Sequence, residues 1–188
     1  MATGAIVIDK RRVRISKYLS LYLRHRPGDL GLTLQPGGWV VVEALLQESA
    51  ARGFAISREE LEQVVAESDK QRFALSEDGS RIRANQGHSV SVDLELEPLE
   101  PPPTLYHGTG HRAVSAIQTD GLRKMSRHHV HLSVDPDTAR KVGARHGRPV
   151  IFEVDAARMA QDGHTFFRSA NGVWLVDRVP GEYLTLTD

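Results

Sequence analysis

The sequence predicts an α+β fold of two lobes, with helices and a hairpin in the first and a mainly antiparallel β unit in the second. Three observations predict it. Apolar residues recur at helical spacing in the N-terminal half. Strand-like segments separated by turns and short helices fill the C-terminal half. Between them the composition shifts once, at Asp93–Thr104, which reads DLELEPLEPPPT.

The elements follow in order. Ile15, Leu19, Tyr22 and Leu23 lie on one helical face, and Pro27-Gly28 ends that helix. Val42–Ser49 is a second, short helix after Pro36-Gly37-Gly38. Ser57 and Glu60 have capping-box spacing, and Leu61, Val64 and Val65 supply the apolar stripe of a third helix. Arg72–Ser76, a turn at Asp78-Gly79 and Arg81–Ala84 read as a β-hairpin. Three helices and a hairpin wing over residues 1–95 suggest a winged helix, a module that often presents basic side chains to nucleic acid. Three consecutive prolines lack backbone donors and favour an extended path, so 96–103 reads as a semi-rigid linker. The second lobe, 104–188, has strand candidates at Leu105–His107, Val130–Val134, Val150–Val154, Thr165–Arg168, Val173–Val176 and Tyr183–Leu186. Helices are expected around His111–Thr119, Asp137–Gly143 and Ala156–Ala160, with Gly121 and Gly143 at helix C-termini.

A chain of 188 residues can bury one good core or two small ones. Its 24 basic and 24 acidic residues balance, so net charge points to no partner. Local charge says more: Lys10–Arg26 holds seven Lys and Arg residues and no acid. That run is either a solvated helix face or a phosphate-binding surface. The absence of cysteine removes disulfides, Cys-ligated zinc and thiol nucleophiles, and is compatible with a reducing cytosol. The start, MATGAIVIDKRR, lacks the order of a secretory signal, and no apolar stretch approaches membrane-spanning length. A cytoplasmic monomer with no membrane partner is the expectation.

Four clusters can carry chemistry. Arg24-His25-Arg26-Pro27 closes the first helix, where cations complement the helix dipole. The same residues could clamp a phosphate, with an imidazole alongside that exchanges protons near neutral pH. Asp69-Lys70-Gln71-Arg72-Phe73 opens the hairpin, with Phe73 expected inward and Arg72 outward. Arg83-Ala84-Asn85-Gln86-Gly87-His88 offers donors for phosphate and sugar oxygens, or is ordinary loop chemistry. The fourth cluster is spread over the second lobe: His107-Gly108-Thr109, Arg127–Ser133 and Asn171–Leu175. His-Gly-Thr at a strand end combines a side-chain donor, a backbone open to close approach and a hydroxyl, suited to a ribose or an amide. His129 and His131 could share a strand face, yet without cysteine or an H-E-x-x-H pattern a metal is not expected.

Taken in order, six stretches resemble the NAD-dependent RNA 2'-phosphotransferases. They are Leu23–Pro27, Lys70–Phe73, Ile82–His88, Tyr106–Thr109, His129–Ser133 and Ser169–Leu175, and the likeness runs from about Ile15 to the C-terminus. The resemblance implies an N-terminal winged-helix RNA-binding lobe and a C-terminal ADP-ribosyltransferase-like lobe that binds NAD. It implies a catalytic set of Arg24, His25, Arg72 and Arg127. It places His107, Gly108 and Thr109 at the nicotinamide riboside, with Ser133, Gly143 and Arg145 also on NAD. His131 and Val173 are similar to the second and third positions of the transferase signature; many protein-modifying relatives carry Glu at the third. Arg26, Lys70, Arg83, Asn85, Gln86 and His88 are the RNA-binding candidates.

The implied reaction has two steps and needs no metal. An internal 2'-phosphate of RNA, as in spliced tRNA, attacks C1'' of the NAD ribose and expels nicotinamide. The 2''-hydroxyl then attacks the phosphorus of the ADP-ribosylated RNA, freeing the RNA 2'-hydroxyl and ADP-ribose 1'',2''-cyclic phosphate. Two other readings stand beside it: an ADP-ribosyltransferase that caps terminal phosphates of RNA or DNA, and a non-catalytic winged-helix nucleic-acid binder.

Overall fold

The computed structural model describes residues 10–68 and 70–187; the N-terminal apolar run and Asp69 lie outside them. The chain forms two compact units, one up to Glu95 and one from Leu96.

The first unit contains α1 (Lys10–Arg24), α2 (Val42–Ala51) and α3 (Arg58–Ala66). Its strands, β1 (Trp39–Val41), β2 (Phe73–Leu75) and β3 (Arg81–Ala84), form an antiparallel sheet in the order β1-β3-β2. Ile15, Leu19 and Leu23 of α1 are buried with Leu45, Leu61, Phe73 and Ile82 in one core. The helical spacing of the sequence is therefore a packing stripe. The hairpin pattern predicts two strands, and the sheet has three. Trp39-Val40-Val41 is too short a run to show a period of two and passes directly into α2. Only its pairing with β3, Trp39 opposite Arg83, makes it a strand.

The capping box at α3 is formed in both directions. The Glu60 amide donates to Ser57 Oγ at 3.2 Å, and the Ser57 amide donates to Glu60 Oε2 at 3.0 Å. Glu60 also takes Arg11 Nε at 2.8 Å, tying α3 to α1. The Arg11 bond first, and then the Ser57 amide, hold the Glu60 carboxyl down at about 2 against an ordinary 4.5. A depressed acid stabilises the fold above its unfolded pKa, and that contribution disappears as pH falls through its folded value. The urea midpoint should therefore drop between about pH 4.5 and 2. Arg11→Ala should reduce that part of the acid dependence, and an unchanged pH profile in the variant would remove Glu60 from the account.

The hairpin turn is organised by Asp78. Its carboxylate accepts from Ser76 Oγ at 2.6 Å, Ser80 Oγ at 2.7 Å and the Ser80 amide at 3.1 Å, which holds its pKa well below the carboxylate range. Gly79, at φ 68°, supplies the left-handed residue that the reversal needs.

The second unit is built from β4 (Thr104–Gly110), α4 (Val114–Asp120), β5 (Leu122–Arg123), β6 (Val130–Leu132), α5 (Pro136–Gly143), β7 (Pro149–Asp155), α6 (Ala156–Gln161), β8 (Phe166–Arg168), β9 (Trp174–Val176), β10 (Arg178–Val179) and β11 (Leu184–Thr187). All pairings are antiparallel, in sheets β11-β7-β4 and β6-β9-β8 and a pair β10-β5. Tyr106 and Ser133 exchange backbone hydrogen bonds of 2.8 Å each, joining β4 to the segment after β6. Leu105, Phe152, Val154, Met159, Phe166, Trp174 and Val176 form the core. The chain is thus α+β, as its pattern predicts. The two-residue strands β5 and β10 were not expected, because a pair so short has no sequence period.

Two glycines differ in role. Gly121 ends α4 as expected, at φ 75° with its amide on the Ile117 carbonyl at 2.8 Å. Gly143 is the last residue of α5, also as expected, but its dihedrals are helical rather than left-handed, and the chain continues into a 3-10 turn, Ala144–His146. The demand there is for space, since a Cβ on Gly143 would come within 2.7 Å of the Thr109 carbonyl oxygen. The proline-rich stretch is laid along the second unit. Pro98 bridges to Phe167, the Leu99 amide reaches Phe166 O at 2.9 Å, and Pro103 O accepts from Ala156 and Ala157 at 3.0 and 3.1 Å. No helix among the described residues is long and apolar enough to cross a membrane.

Candidate functional site

In the first unit, the Arg72 carbonyl is a junction. It accepts from Arg24 Nη2 at 3.3 Å and from the Asn85 amide at 2.9 Å. Asn85 Nδ2 donates to Gln71 O at 2.5 Å, across a Gln71 held at φ 41°. The Arg24 guanidinium also sits 5.7 Å from the centre of the buried Phe73 ring. The end of α1 and the start of β2 are therefore locked to the segment after β3, and Arg24 and Arg72 come together although 48 residues apart. Phe73 points inward as alternation predicts.

His25 is exposed, with Nδ1 2.9 Å from Ser89 Oγ, while the Ser89 amide donates to the Arg24 carbonyl at 2.9 Å. Ser89 is absent from the candidates read off the sequence. The signal was weak: it is one hydroxyl after the Asn85–His88 run, and only folding brings it to His25.

The six RNA-binding candidates divide by burial. Arg26 and Lys70 are exposed, and Gln86 and Arg83 are half-buried. The Arg83 guanidinium lies 4.5 Å from the centre of the Trp39 ring. Asn85 and His88 are inside the unit, His88 wholly so. Their side chains offer almost no surface to an external ligand, which corrects the reading of both as donors to RNA oxygens. A loop-like sequence of polar residues does not reveal that its side chains fold inward.

In the second unit, three candidates form a chain of contacts. Arg127 Nη1 donates to His131 Nδ1 at 3.2 Å, and the His131 carbonyl accepts from His107 Nδ1 at 3.1 Å. The backbone bond keeps a proton on His107 Nδ1 and leaves Nε2 as an acceptor. Burial first, then the positive charges of Arg127 and His146, outweigh that bond and push the His107 pKa below its ordinary 6.5. His107 is thus neutral at neutral pH. His129 is the sheltered neighbour. Its ring lies 5.5 Å from that of Phe167, and burial, His128 and Lys124 depress its pKa. His131 is the histidine that connects to Arg127 and His107.

His107-Gly108-Thr109 is mid-strand, since β4 continues to Gly110. That corrects its placement at a strand end. His107 and Thr109 share one face, and Gly108 turns its empty side to α5. A Cβ there would fall 1.7 Å from the Ala139 carbonyl oxygen, so the close approach this glycine permits is to a helix of its own chain. Ser133 is engaged with Tyr106 through its backbone, and Arg145 is exposed in the turn after α5. Val173 closes a turn in which Ser169 Oγ accepts its amide at 3.1 Å and donates to Asn171 Oδ1 at 2.8 Å. Among the described residues, no group of three or more His, Asp or Glu side chains is placed to hold a metal ion.

The pattern of the family described as RNA 2'-phosphotransferase, Tpt1 / KptA family, matches residues 10–178. A protein of Nostoc punctiforme named "Probable RNA 2'-phosphotransferase" is 61% identical over 176 residues, covering 94% of this chain and 97% of that protein. Proteins with the same name from Trichormus variabilis and Streptomyces griseus are 63% and 56% identical, over 93% and 95% of this chain and 96% and 98% of theirs.

Proposed function

The chain belongs to the Tpt1/KptA family of RNA 2'-phosphotransferases, and from that premise we infer that it transfers an internal 2'-phosphate of RNA to NAD in two steps. The observation that carries this reading is the Arg127–His131–His107 chain of contacts within the second unit. It sets the Arg127 guanidinium on the His131 ring, and the neutral His107 ring, bonded to the His131 carbonyl, keeps Nε2 as an acceptor. The residues fit a nicotinamide dinucleotide: a ribose hydroxyl needs an acceptor such as His107 Nε2, and Thr109 presents a hydroxyl on the same strand face. His131, Ser133, Gly143, Arg145 and Val173 complete the set proposed for NAD. The antiparallel sheets joined through Tyr106 and Ser133 support an ADP-ribosyltransferase-like unit. Three helices and a three-stranded wing support a winged-helix unit that binds RNA.

The 2'-phosphate is already anionic, so its attack on C1'' of the NAD ribose needs no strong base; nicotinamide leaves as a neutral molecule. In the second step the 2''-hydroxyl attacks phosphorus and the RNA 2'-oxygen departs. Charge on the equatorial phosphoryl oxygens then wants fixed cations, the role proposed for Arg24, Arg72 and Arg127. His25 protonates the departing oxygen, an effect typically worth about 10²–10⁴-fold. Selectivity for RNA follows, because DNA has no 2'-oxygen to carry the phosphate.

Incubation with NAD and a short RNA bearing an internal 2'-phosphate should yield nicotinamide, dephosphorylated RNA and ADP-ribose 1'',2''-cyclic phosphate. A reaction that stops at ADP-ribosylated RNA would favour the capping alternative, and no nicotinamide release would favour a binder without catalysis. EDTA should leave the rate unchanged; a reproducible loss would bring a metal into the reaction. His107→Ala should raise the KM for NAD while RNA affinity stays near wild type. Equal loss of both would contradict separate NAD and RNA duties for the two units.

A further inference from the structure

We propose that Ser89 is a positioning residue for His25, holding the imidazole by Nδ1 so that Nε2 is the atom that surrenders a proton. The proposal rests on the reading of His25 as the proton donor of the second step. Ser89 grips the end of α1 at two points: its amide on the Arg24 carbonyl and its hydroxyl on His25 Nδ1, each at 2.9 Å. Arg24 is the last residue of α1, and carbonyls of a helix's last turn have no partner within the helix. The amide bond therefore satisfies one of these carbonyls, and the hydroxyl then fixes how the next side chain is rotated.

The segment that delivers Ser89 is itself anchored. Asn85 is bonded to Arg72 O and Gln71 O, and His88 is fully buried beneath Gly38, where a Cβ would stand 3.3 Å from His88 Nε2. Ser89 is the exposed tip of a strap in which Asn85 and His88 face inward. This gives the inward-facing Asn85 a use: it ties Arg72 into the same construction.

The protonation states follow from the chemistry. A histidine that gives a proton to an oxygen begins as imidazolium. Nδ1–H then donates to Ser89 Oγ, and Nε2–H faces the departing RNA 2'-oxygen. The bond from phosphorus to that oxygen breaks as the bond to the 2''-oxygen forms. The 2'-oxygen takes the Nε2 proton, and the attacking 2''-hydroxyl releases its proton to water. His25 is left neutral with its hydrogen on Nδ1, still donating to Ser89. The Ser89 hydroxyl accepts from Nδ1–H and can equally donate to a bare Nδ1, so what it fixes is the rotation of the ring, with Nε2 turned away from Ser89.

The test uses the full chain with Ser89→Ala and Ser89→Thr. Imidazole ¹⁵N shifts of His25 report hydrogen bonding at Nδ1, and single-turnover kinetics from ADP-ribosylated RNA isolate the second step. Wild type and Ser89→Thr should show a hydrogen-bonded Nδ1. Ser89→Ala should move the Nδ1 shift to that of a ring without this bond and slow the second step about tenfold, a part of the whole value of a general acid. Its first step and its KM for NAD should be unchanged. A wild-type Nδ1 shift in Ser89→Ala, or equal slowing of both steps, overturns the proposal. His25→Ala tests the underlying reading separately: a wild-type second step there removes His25 as donor, whatever the Nδ1 shift in Ser89→Ala.

Discussion

Arg72→Ala is expected to slow the second step by about 10³-fold or more, the scale at which a guanidinium acts on a phosphoryl transition state. The first step should slow far less, because an anionic phosphate attacking a ribose carbon gains little from further charge neutralisation. ADP-ribosylated RNA should then accumulate and be visible as a slower-migrating RNA under excess NAD. The variant is informative because the Arg72 side chain has no hydrogen bond or ion pair among the described residues; its fold contacts run through its backbone. Arg24→Ala should show the same accumulation with some loss of stability, since Arg24 also bonds the Arg72 carbonyl and lies over Phe73. Arg72→Lys should recover only part of the rate, as an ammonium keeps the charge without the two-pronged geometry. If neither alanine variant ever shows the intermediate while overall turnover falls, these arginines do not act on the second step.

Gly108→Ala should be the most damaging single methyl in the second unit. The new carbon would lie 1.7 Å from the Ala139 carbonyl oxygen and 2.4 Å from its carbon, and both are backbone atoms of α5. Neither β4 nor the helix can yield by a side-chain rotation. The cost should reach or exceed the upper end of the ~1–3 kcal/mol usual for overpacking. At roughly 4–8 °C per kcal/mol for a domain of this size, the melting temperature should fall by more than about 10 °C. Gly28→Ala is the control: nothing lies within 4 Å of its Cβ position, and it should melt near wild type. A Gly108→Ala protein melting within a degree or two of the parent would show that β4 and α5 are not packed this closely.

Much of this molecule was legible in local patterns. The stripe Ile15–Leu19–Leu23, the Ser57–Glu60 box and the Asp78-Gly79 turn are each decided by residues within a few positions of one another. Steric and hydrogen-bonding preferences act over that distance, so each was predictable. The six stretches resembling RNA 2'-phosphotransferases were equally visible, and the family match confirms them. What could not be read were contacts between residues far apart in the chain. Trp39–Val41 is a strand only because β3 lies beside it. Gly143 and Gly108 are required by clearance between a helix and a strand, which no run of neighbouring residues encodes. Asn85 and His88 looked like surface donors until the fold turned them inward, and Ser89 met His25 only across 64 positions. Spacing along a chain reports periodicity and capping, because those depend on nearest neighbours. Which side chain faces which is settled by the long-range packing that excludes water from each core.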